Sequence, residues 1–203
     1  MKMTKLFTLF LLIAITLSSF GQTVDEYFEQ GLNKVDKADY NGAIINFTKV
    51  IVMNPNYTDA FFNRGYSKHS LKDYKGAILD FTKVIEISPN DANAYYNRSL
   101  AKIELIDYNG AIFDLTKAIE INPKSQILYH DRAITKARLK DYSGAIMDFT
   151  NIINLNPNNA VAYYYRGNVT EDYGNLNNAC NDWKKAAELG YTKAVEKLAN
   201  KCN

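Results

Sequence analysis

One short motif repeats through the chain with a fixed period. Asp-Tyr-x-Gly-Ala-Ile begins at four aspartates: Asp39, Asp73, Asp107 and Asp141. The only four prolines have the same spacing of 34 residues: Pro55, Pro89, Pro123 and Pro157. A constant period of this length is typical of a repeat protein, in which each unit is stable only when it packs against its neighbours.

Each unit is predicted to be a helical hairpin. Two apolar stretches with helical periodicity flank the aspartate, which is suited to cap the second helix by accepting hydrogen bonds from free backbone N–H groups. Proline ends that helix because it lacks an N–H and disfavours helical geometry in the residue before it. The predicted first helices cover 24–37, 58–71, 92–105, 126–139 and 160–173. The predicted second helices begin at Tyr40, Tyr74, Tyr108, Tyr142 and Leu176.

Further columns of residues share the period. The first aromatic column contains Tyr27, Phe61, Tyr95, Tyr129 and Tyr163. A small-residue column contains Gly31, Gly65, Ser99, Ala133 and Gly167. An alanine column contains Ala43, Ala77, Ala111, Ala145 and Ala179, and the next large column contains Phe47, Phe81, Leu115, Phe149 and Trp183. Small residues let helix backbones approach closely, and the large ones fill the space between hairpins.

These columns resemble the tetratricopeptide repeat, whose unit of 34 residues has an aromatic, a small residue, an alanine, an aromatic and a proline in this order. The resemblance implies an all-α, right-handed α-solenoid of five helical hairpins plus a C-terminal capping helix. The expected repeats are 24–57, 58–91, 92–125, 126–159 and 160–193, and residues 194–203 complete the capping helix.

The chain departs from the family pattern at a pair of charged columns. Arginine stands where the family has leucine: Arg64, Arg98, Arg132 and Arg166. Sixteen residues later stand four aspartates: Asp80, Asp114, Asp148 and Asp182. The first repeat has Gln30 and Asn46 at these positions. Because a planar guanidinium matches a carboxylate bidentately, we expect each arginine to bond the aspartate of its own hairpin as a structural pair.

The C-terminal end of the chain is predicted to close the solenoid. Thr192 can cap a short amphipathic helix that ends at about Lys201. Cys180 lies ten residues before Gly190 and Cys202 twelve after it, so antiparallel helices would bring the two sulfurs to similar heights. A disulfide is therefore expected. The alternative is a small core residue at Cys180 and a free thiol at Cys202.

The first residues are typical of an export signal. Lys2 and Lys5 precede an apolar stretch over 6–17, and small residues follow it. We expect cleavage after Gly21, which makes residues 1–21 a signal peptide and the protein periplasmic or secreted. A retained membrane anchor is the alternative, although a bilayer-spanning helix takes about 20 residues. Removing two lysines from the 24 basic residues leaves 22, equal to the 22 acidic ones.

The resemblance places any binding site on the first helices, because the family commonly binds peptides in the concave groove that they line. The residues after the first aromatic column should form an aromatic ladder: Phe28, Phe62, Tyr96, His130 and Tyr164. Beside this ladder we expect Asn63, Asn97, Asp131 and, one turn on, Tyr66. The alternative is that the rings only pack against the adjacent hairpin.

Little in the sequence favours catalysis. The only histidines, His69 and His130, lie in different repeats, so no metal site, catalytic triad or cofactor is expected. The balanced charge argues against a nucleic-acid partner and gives no attraction to anionic lipid. No stable membrane insertion is expected after cleavage of the signal. We therefore expect a non-enzymatic scaffold that binds a protein or peptide. A glycan-binding module and a self-assembling structural protein are the alternatives.

Overall fold

The computed structural model describes residues 23–202, and the predicted signal peptide lies outside them. This part of the chain contains eleven α-helices and no strand. The first helices of the five hairpins are α1 Val24–Asp36, α3 Thr58–Ser70, α5 Ala92–Glu104, α7 Gln126–Arg138 and α9 Ala160–Asp172. Their partners are α2 Tyr40–Met53, α4 Tyr74–Ile87, α6 Tyr108–Ile121, α8 Tyr142–Leu155 and α10 Leu176–Glu188, and α11 Thr192–Lys201 follows.

The hairpins stack in chain order to form a solenoid. Each first helix packs on its own second helix, and each second helix packs on the first helix of the next hairpin. The alanine and large apolar columns are fully buried along the whole stack, from Ala43 and Phe47 to Ala179 and Trp183. The core is therefore continuous but built from local contacts only, as in other repeat proteins.

The aspartates recur with a fixed period because each one caps a second helix, as predicted. In each of the first four hairpins, an aspartate carboxylate accepts a hydrogen bond from a glycine N–H three residues on, at 2.9–3.0 Å. Asn175 takes this role before α10, where its side chain accepts from the N–H of Asn178. These caps fix the start of every second helix at the predicted residue.

The small-residue column lets the two helices of a hairpin approach closely. A Cβ atom added at Gly31 would lie 2.5 Å from the ring of Phe47, and one added at Gly167 would lie 2.6 Å from the indole nitrogen of Trp183. Both distances are shorter than van der Waals contact. The large core side chain of each of these hairpins therefore packs directly on the backbone of its first helix.

Helix α11 covers the last hairpin, as predicted. Ala194 is fully buried against Trp183 and Ala186. Cys180 and Cys202 form a disulfide that ties the end of α11 to α10. Glu171 on α9 adds ion pairs to Lys197 at 2.8 Å and Lys201 at 3.1 Å. The exposed side of the fifth hairpin is thus closed by apolar, covalent and ionic contacts.

Candidate peptide-binding groove

The first helices form the inner layer of the solenoid. Helix α1 contacts α3, and α3 contacts α5, in addition to the contacts that each makes with second helices. Close neighbours of this kind are expected on the concave side of a curved stack, where the helices converge. These contacts place α1, α3 and α5 on the concave side, and the repeat of the hairpins extends the candidate groove to α7 and α9.

The ladder rings at the N-terminal end lie against the core. The ring of Phe28 lies 5.7 Å from that of Phe47 and 5.0 Å from that of Tyr57, and Phe62 lies 5.6 Å from Phe81. Both side chains are half-buried. Both rings therefore pack against the core, as the alternative interpretation of the ladder expected, and their contact with a peptide stays a prediction.

In the middle of the groove, three polar side chains form a chain of hydrogen bonds. The Tyr96 hydroxyl donates to one carboxylate oxygen of Asp131 at 2.9 Å, and Nδ1 of His130 lies 3.1 Å from the other. Burial of the ring, followed by the negative charge of Asp131, raises the pKa of Tyr96 above its usual value. The hydroxyl thus stays protonated and fixes Asp131, linking the third hairpin to the fourth.

Aromatic rings close the C-terminal end of the groove. His130 lies 5.3 Å from the ring of Tyr165, which stacks on Phe149 at 6.0 Å. Tyr164 contacts Tyr191, the residue before α11, at 4.9 Å. The capping helix therefore also positions the last ring of the ladder.

Two asparagines line the groove in the same orientation, one repeat apart. The Asn63 amide donates to the backbone carbonyl of Asp59, and the Asn97 amide donates to that of Asn93, both at 2.8 Å. Within residues 23–202, neither amide oxygen has a hydrogen-bond donor. Both oxygens are thus available as acceptors. Tyr66, on the same helix as Asn63, is exposed and has its ring 6.4 Å from that of Tyr40.

Carboxylates gather at the N-terminal end of the groove. Burial first, and then the charges of Asp25, Asp59 and Glu29, raise the pKa of Tyr57. These three side chains therefore lie near one hydroxyl. None of them forms an ion pair with another residue of the range 23–202. This end of the groove consequently presents three carboxylates that are not neutralised by an ion pair.

Below the groove, each arginine of the charged columns bonds the aspartate of its own hairpin. Arg98 donates through Nε and Nη2 to the two oxygens of Asp114, at 2.9 and 2.7 Å. Lys102 also pairs with Asp114, at 2.7 Å. The same bidentate geometry joins the other predicted pairs: Arg64 with Asp80, Arg132 with Asp148 and Arg166 with Asp182. The charges of these arginines and aspartates are thus paired within the scaffold.

A threonine column that was not predicted connects the hairpins. Arg98 donates through Nη1 to the hydroxyl of Thr82 in the preceding hairpin, at 3.0 Å. The equivalent acceptors for the other three arginines are Thr48, Thr116 and Thr150. Threonine is present wherever an arginine follows in the next hairpin, and the fifth hairpin has Lys184 instead. The period of 34 residues was the signal that could have revealed this column.

Known proteins agree with this architecture. A family model described as tetratricopeptide repeat matches residues 58–91 and 92–125. The fold is similar to that in a crystal structure of MamA protein, with a TM-score of 0.79 and 26% identity over 86% of this chain and 96% of that one. The chain thus contains tetratricopeptide repeats and has the fold of tetratricopeptide repeat proteins. Its five hairpins form the right-handed α-solenoid that the resemblance implied, and the predictions of family and fold class are confirmed.

Two more distant structures share the tetratricopeptide repeat fold. MamA 41-end from Desulfovibrio magneticus RS-1 has a TM-score of 0.77 and 17% identity over 86% of this chain and 98% of that chain. YrrB, described as a TPR protein with an unusual peptide-binding site, has a TM-score of 0.74 and 17% identity over 86% and 91%. None of the curated proteins compared matches the chain.

The outer face of the solenoid has a feature that was not predicted. Four large apolar side chains recur on consecutive second helices and are 57–72% exposed: Ile45, Leu79, Phe113 and Met147. The fifth hairpin has Asn181 in this column. The molecule therefore has two surfaces that could contact another macromolecule, the groove and this convex apolar column.

Two kinds of site find no support in the part of the chain that the structure describes. Between residues 23 and 202, no group of three or more His, Cys, Asp or Glu side chains is arranged to hold a metal ion. Over the same residues, each helix is too short or too polar to cross a bilayer.

Proposed function

We propose that the protein holds a peptide or protein segment in its concave groove, as an adaptor without a catalytic step. The observation that carries the proposal is the pair of asparagines, Asn63 and Asn97. Their amides make the same bond to their own helices, so two acceptors one repeat apart face a ligand in the same way. An extended peptide presents backbone N–H groups at regular intervals and can use such acceptors.

The relatives support this proposal at the level of the fold. Tetratricopeptide repeat proteins serve as protein-interaction scaffolds, and the YrrB structure is described as having a peptide-binding site.

We further propose that the protein acts in the cell envelope or in the secreted space. The N-terminal pattern of lysines and apolar residues supports export. The disulfide between Cys180 and Cys202 supports it independently, because such bonds persist in oxidising compartments. Radiolabelling the newly made protein in a secreting cell and sequencing the N-terminus of the mature form would detect cleavage after Gly21.

The test of groove binding is a crosslinking pull-down with matched surface variants. We expect Asn63→Ala combined with Asn97→Ala to lose a protein that the wild type captures, since both acceptors are removed without touching the core. The control is Leu79→Ser combined with Phe113→Ser on the convex face, which should retain the capture. Loss with the convex variant alone would assign binding to the outer face and contradict the proposal.

A second candidate function, self-association, is favoured by the convex apolar column. Exposed apolar residues in a regular row are typical of contact surfaces. Stacking of copies end to end is less favourable, because the first hairpin has Gln30 where an arginine would bond a preceding threonine, and α11 covers the other end. Sedimentation should show a concentration-dependent oligomer that Leu79→Ser with Phe113→Ser converts to a monomer. A wild type that stays monomeric would exclude this function.

A further inference from the structure

A cavity of about 350 Å³ opens where the first turns of α7 and α9 lie side by side. Its apolar lining consists of Ile127, Ile152, Val161 and Ala162. Ile127 is 56% exposed and Val161 40% exposed, although both are apolar. At one rim, the Asn159 amide donates to the side-chain oxygen of Gln126 at 2.8 Å. The cavity volume is at the lower end of the range that small ligand groups occupy.

The repeat pattern shows why the cavity is apolar at this junction. The second position of each first helix is polar in the first three hairpins, with Asp25, Asp59 and Asn93. It becomes Ile127 in the fourth hairpin and Val161 in the fifth. A structural role alone would not require large apolar side chains at an exposed position.

A carboxylate adjoins this apolar cavity. His130 lines the cavity and also bonds one oxygen of Asp131. Tyr96 holds the other oxygen. Each carboxylate oxygen can accept a further hydrogen bond, since an ionised carboxylate has about four acceptor sites. Asp131 is thus a fixed anionic group beside an apolar opening, and no charged residue lines the cavity itself.

The charge of the groove favours a cationic partner over an anionic one. The carboxylates of Asp25, Glu29 and Asp59 lie at the far end of the same groove without ion pairs among residues 23–202. The nearby basic residue Arg132 is already bonded to Asp148 and Thr116. Asp131 and these three carboxylates would therefore repel an acidic peptide and attract a basic one where they lie.

We infer that the groove recognises an extended peptide segment in which an aliphatic side chain lies next to a lysine or arginine. The aliphatic side chain fills the cavity between α7 and α9, and the cation pairs with Asp131. This inference rests on the proposed function, because it assigns the ligand class of the same groove. It also assigns the apolar contact to one end of the groove, because the cavity lies between the two C-terminal hairpins.

Selection of roughly 12-residue random peptides on the purified protein tests the inference. We expect the enriched peptides to share an aliphatic residue adjacent to lysine or arginine. For one such peptide, measured by fluorescence anisotropy, Asp131→Asn should raise Kd about tenfold, as loss of a charge-assisted hydrogen bond does. Ile127→Ser should also raise Kd about tenfold without affecting folding, because Ile127 is exposed. The control Glu120→Gln, an acid on the outer helix α6, should leave Kd unchanged.

A double-mutant cycle identifies the paired groups. Replacing the peptide's cation with glutamine should cost as much as Asp131→Asn, and the two changes together should cost no more than either alone. Additive effects, or enriched peptides without the aliphatic and basic residues, would overturn the inference. If the enriched peptides lack the aliphatic and basic residues but still require Asn63 and Asn97 for binding, this inference fails and the proposed function stands. If no peptide is enriched, both fail.

Discussion

Each arginine of the charged columns makes three kinds of interaction at once. Arg98 bonds Asp114 bidentately, donates to Thr82 of the preceding hairpin and lies over the ring of Tyr95, with 5.6 Å between the guanidinium carbon and the ring centre. Asp114 is fully buried, so its charge needs these partners. The same residue thus closes its own hairpin and joins it to its neighbour.

Removal of this arginine should destabilise the fold strongly. Arg98→Ala leaves Asp114 buried with Lys102 as its remaining cation, and we expect unfolding free energy to fall by about 3 kcal/mol. Thr82→Val removes only the bond between hairpins and should cost about 1 kcal/mol. Urea unfolding measures both changes. If the two variants were equally stable, the bidentate pair would have no structural importance.

The docking of α11 should depend on pH through Glu171. Hydrogen bonding to Lys197 is the main cause that lowers the pKa of Glu171 below the ordinary value of 4.5, and Lys201 adds to it. A lowered folded-state pKa means that the stabilisation is complete above that ordinary value and is lost as the pH falls through the folded-state value. We expect Glu171→Gln to lower Tm near neutral pH and to have a progressively smaller effect as the pH falls below 4.5. Tm measured across this pH series tests the expectation. An equal decrease in Tm at every pH of the series would rule out this linkage.

At the scale of the elements, the turns inside the hairpins contain strained residues. The residue before each capping aspartate has a left-handed backbone conformation, with φ of 55° at Ala38, 64° at Lys72, 63° at Ile106 and 62° at Lys140. Gly174 occupies the equivalent position in the fifth hairpin. This conformation costs L-residues about 1–2 kcal/mol and is least suited to a β-branched side chain.

Replacing the β-branched member of this set should stabilise the protein. Ile106 is 72% exposed, so its removal sacrifices little apolar burial. We expect Ile106→Gly to raise the free energy of unfolding by about 1 kcal/mol, after allowing for the greater flexibility of glycine in the unfolded chain. Ile106→Ala, which keeps a Cβ atom, is the matched control and should gain less. A destabilised Ile106→Gly protein would show that the side chain has a contact role.

At the scale of the whole molecule, the two ends of the solenoid differ. The N-terminal hairpin has amides where the others have an ion pair, and the last hairpin is closed by α11 and a disulfide. The inner face carries acidic and amide groups, whereas the outer face has the convex apolar column. These differences give an otherwise periodic scaffold a direction and two distinct faces.

The disulfide should account for much of the stability of the C-terminal end. Cys180 and Cys202 close a loop of 22 residues, and such a closure stabilises a fold by about 3 kcal/mol in the chain-entropy model. We expect the double variant Cys180→Ser with Cys202→Ser to lose about that amount in chemical denaturation. Reducing agent should lower the stability of the wild type but not that of the variant. A response of both proteins to reductant would point to another cause.

The repeat, the hairpins and the capping helix could all be predicted from the amino-acid pattern, because their signals are local and most recur with a fixed period. Asp39 and its equivalents set the start of the second helices through bonds that span three residues. The prediction that Thr192 caps the last helix was wrong, because Thr192 is the first residue of that helix and its N-cap, Tyr191, makes no side-chain capping bond. The pairing of Arg98 with Asp114 could also be predicted, because hairpin geometry brings a separation of 16 residues together. Regular short-range geometry leaves few alternatives.

The side chains of the groove that already have partners could not be predicted from their positions in the repeat. Phe62 packs on Phe81, and Tyr96 uses its hydroxyl to hold Asp131, a contact across 35 residues. Column position could not reveal this, since a residue at the groove edge can turn toward the core or toward solvent. The cavity beside Ile127 likewise depends on how two hairpins meet. Periodicity fixes the path of the backbone, whereas burial and bonding between neighbouring hairpins select the surface that remains for a ligand.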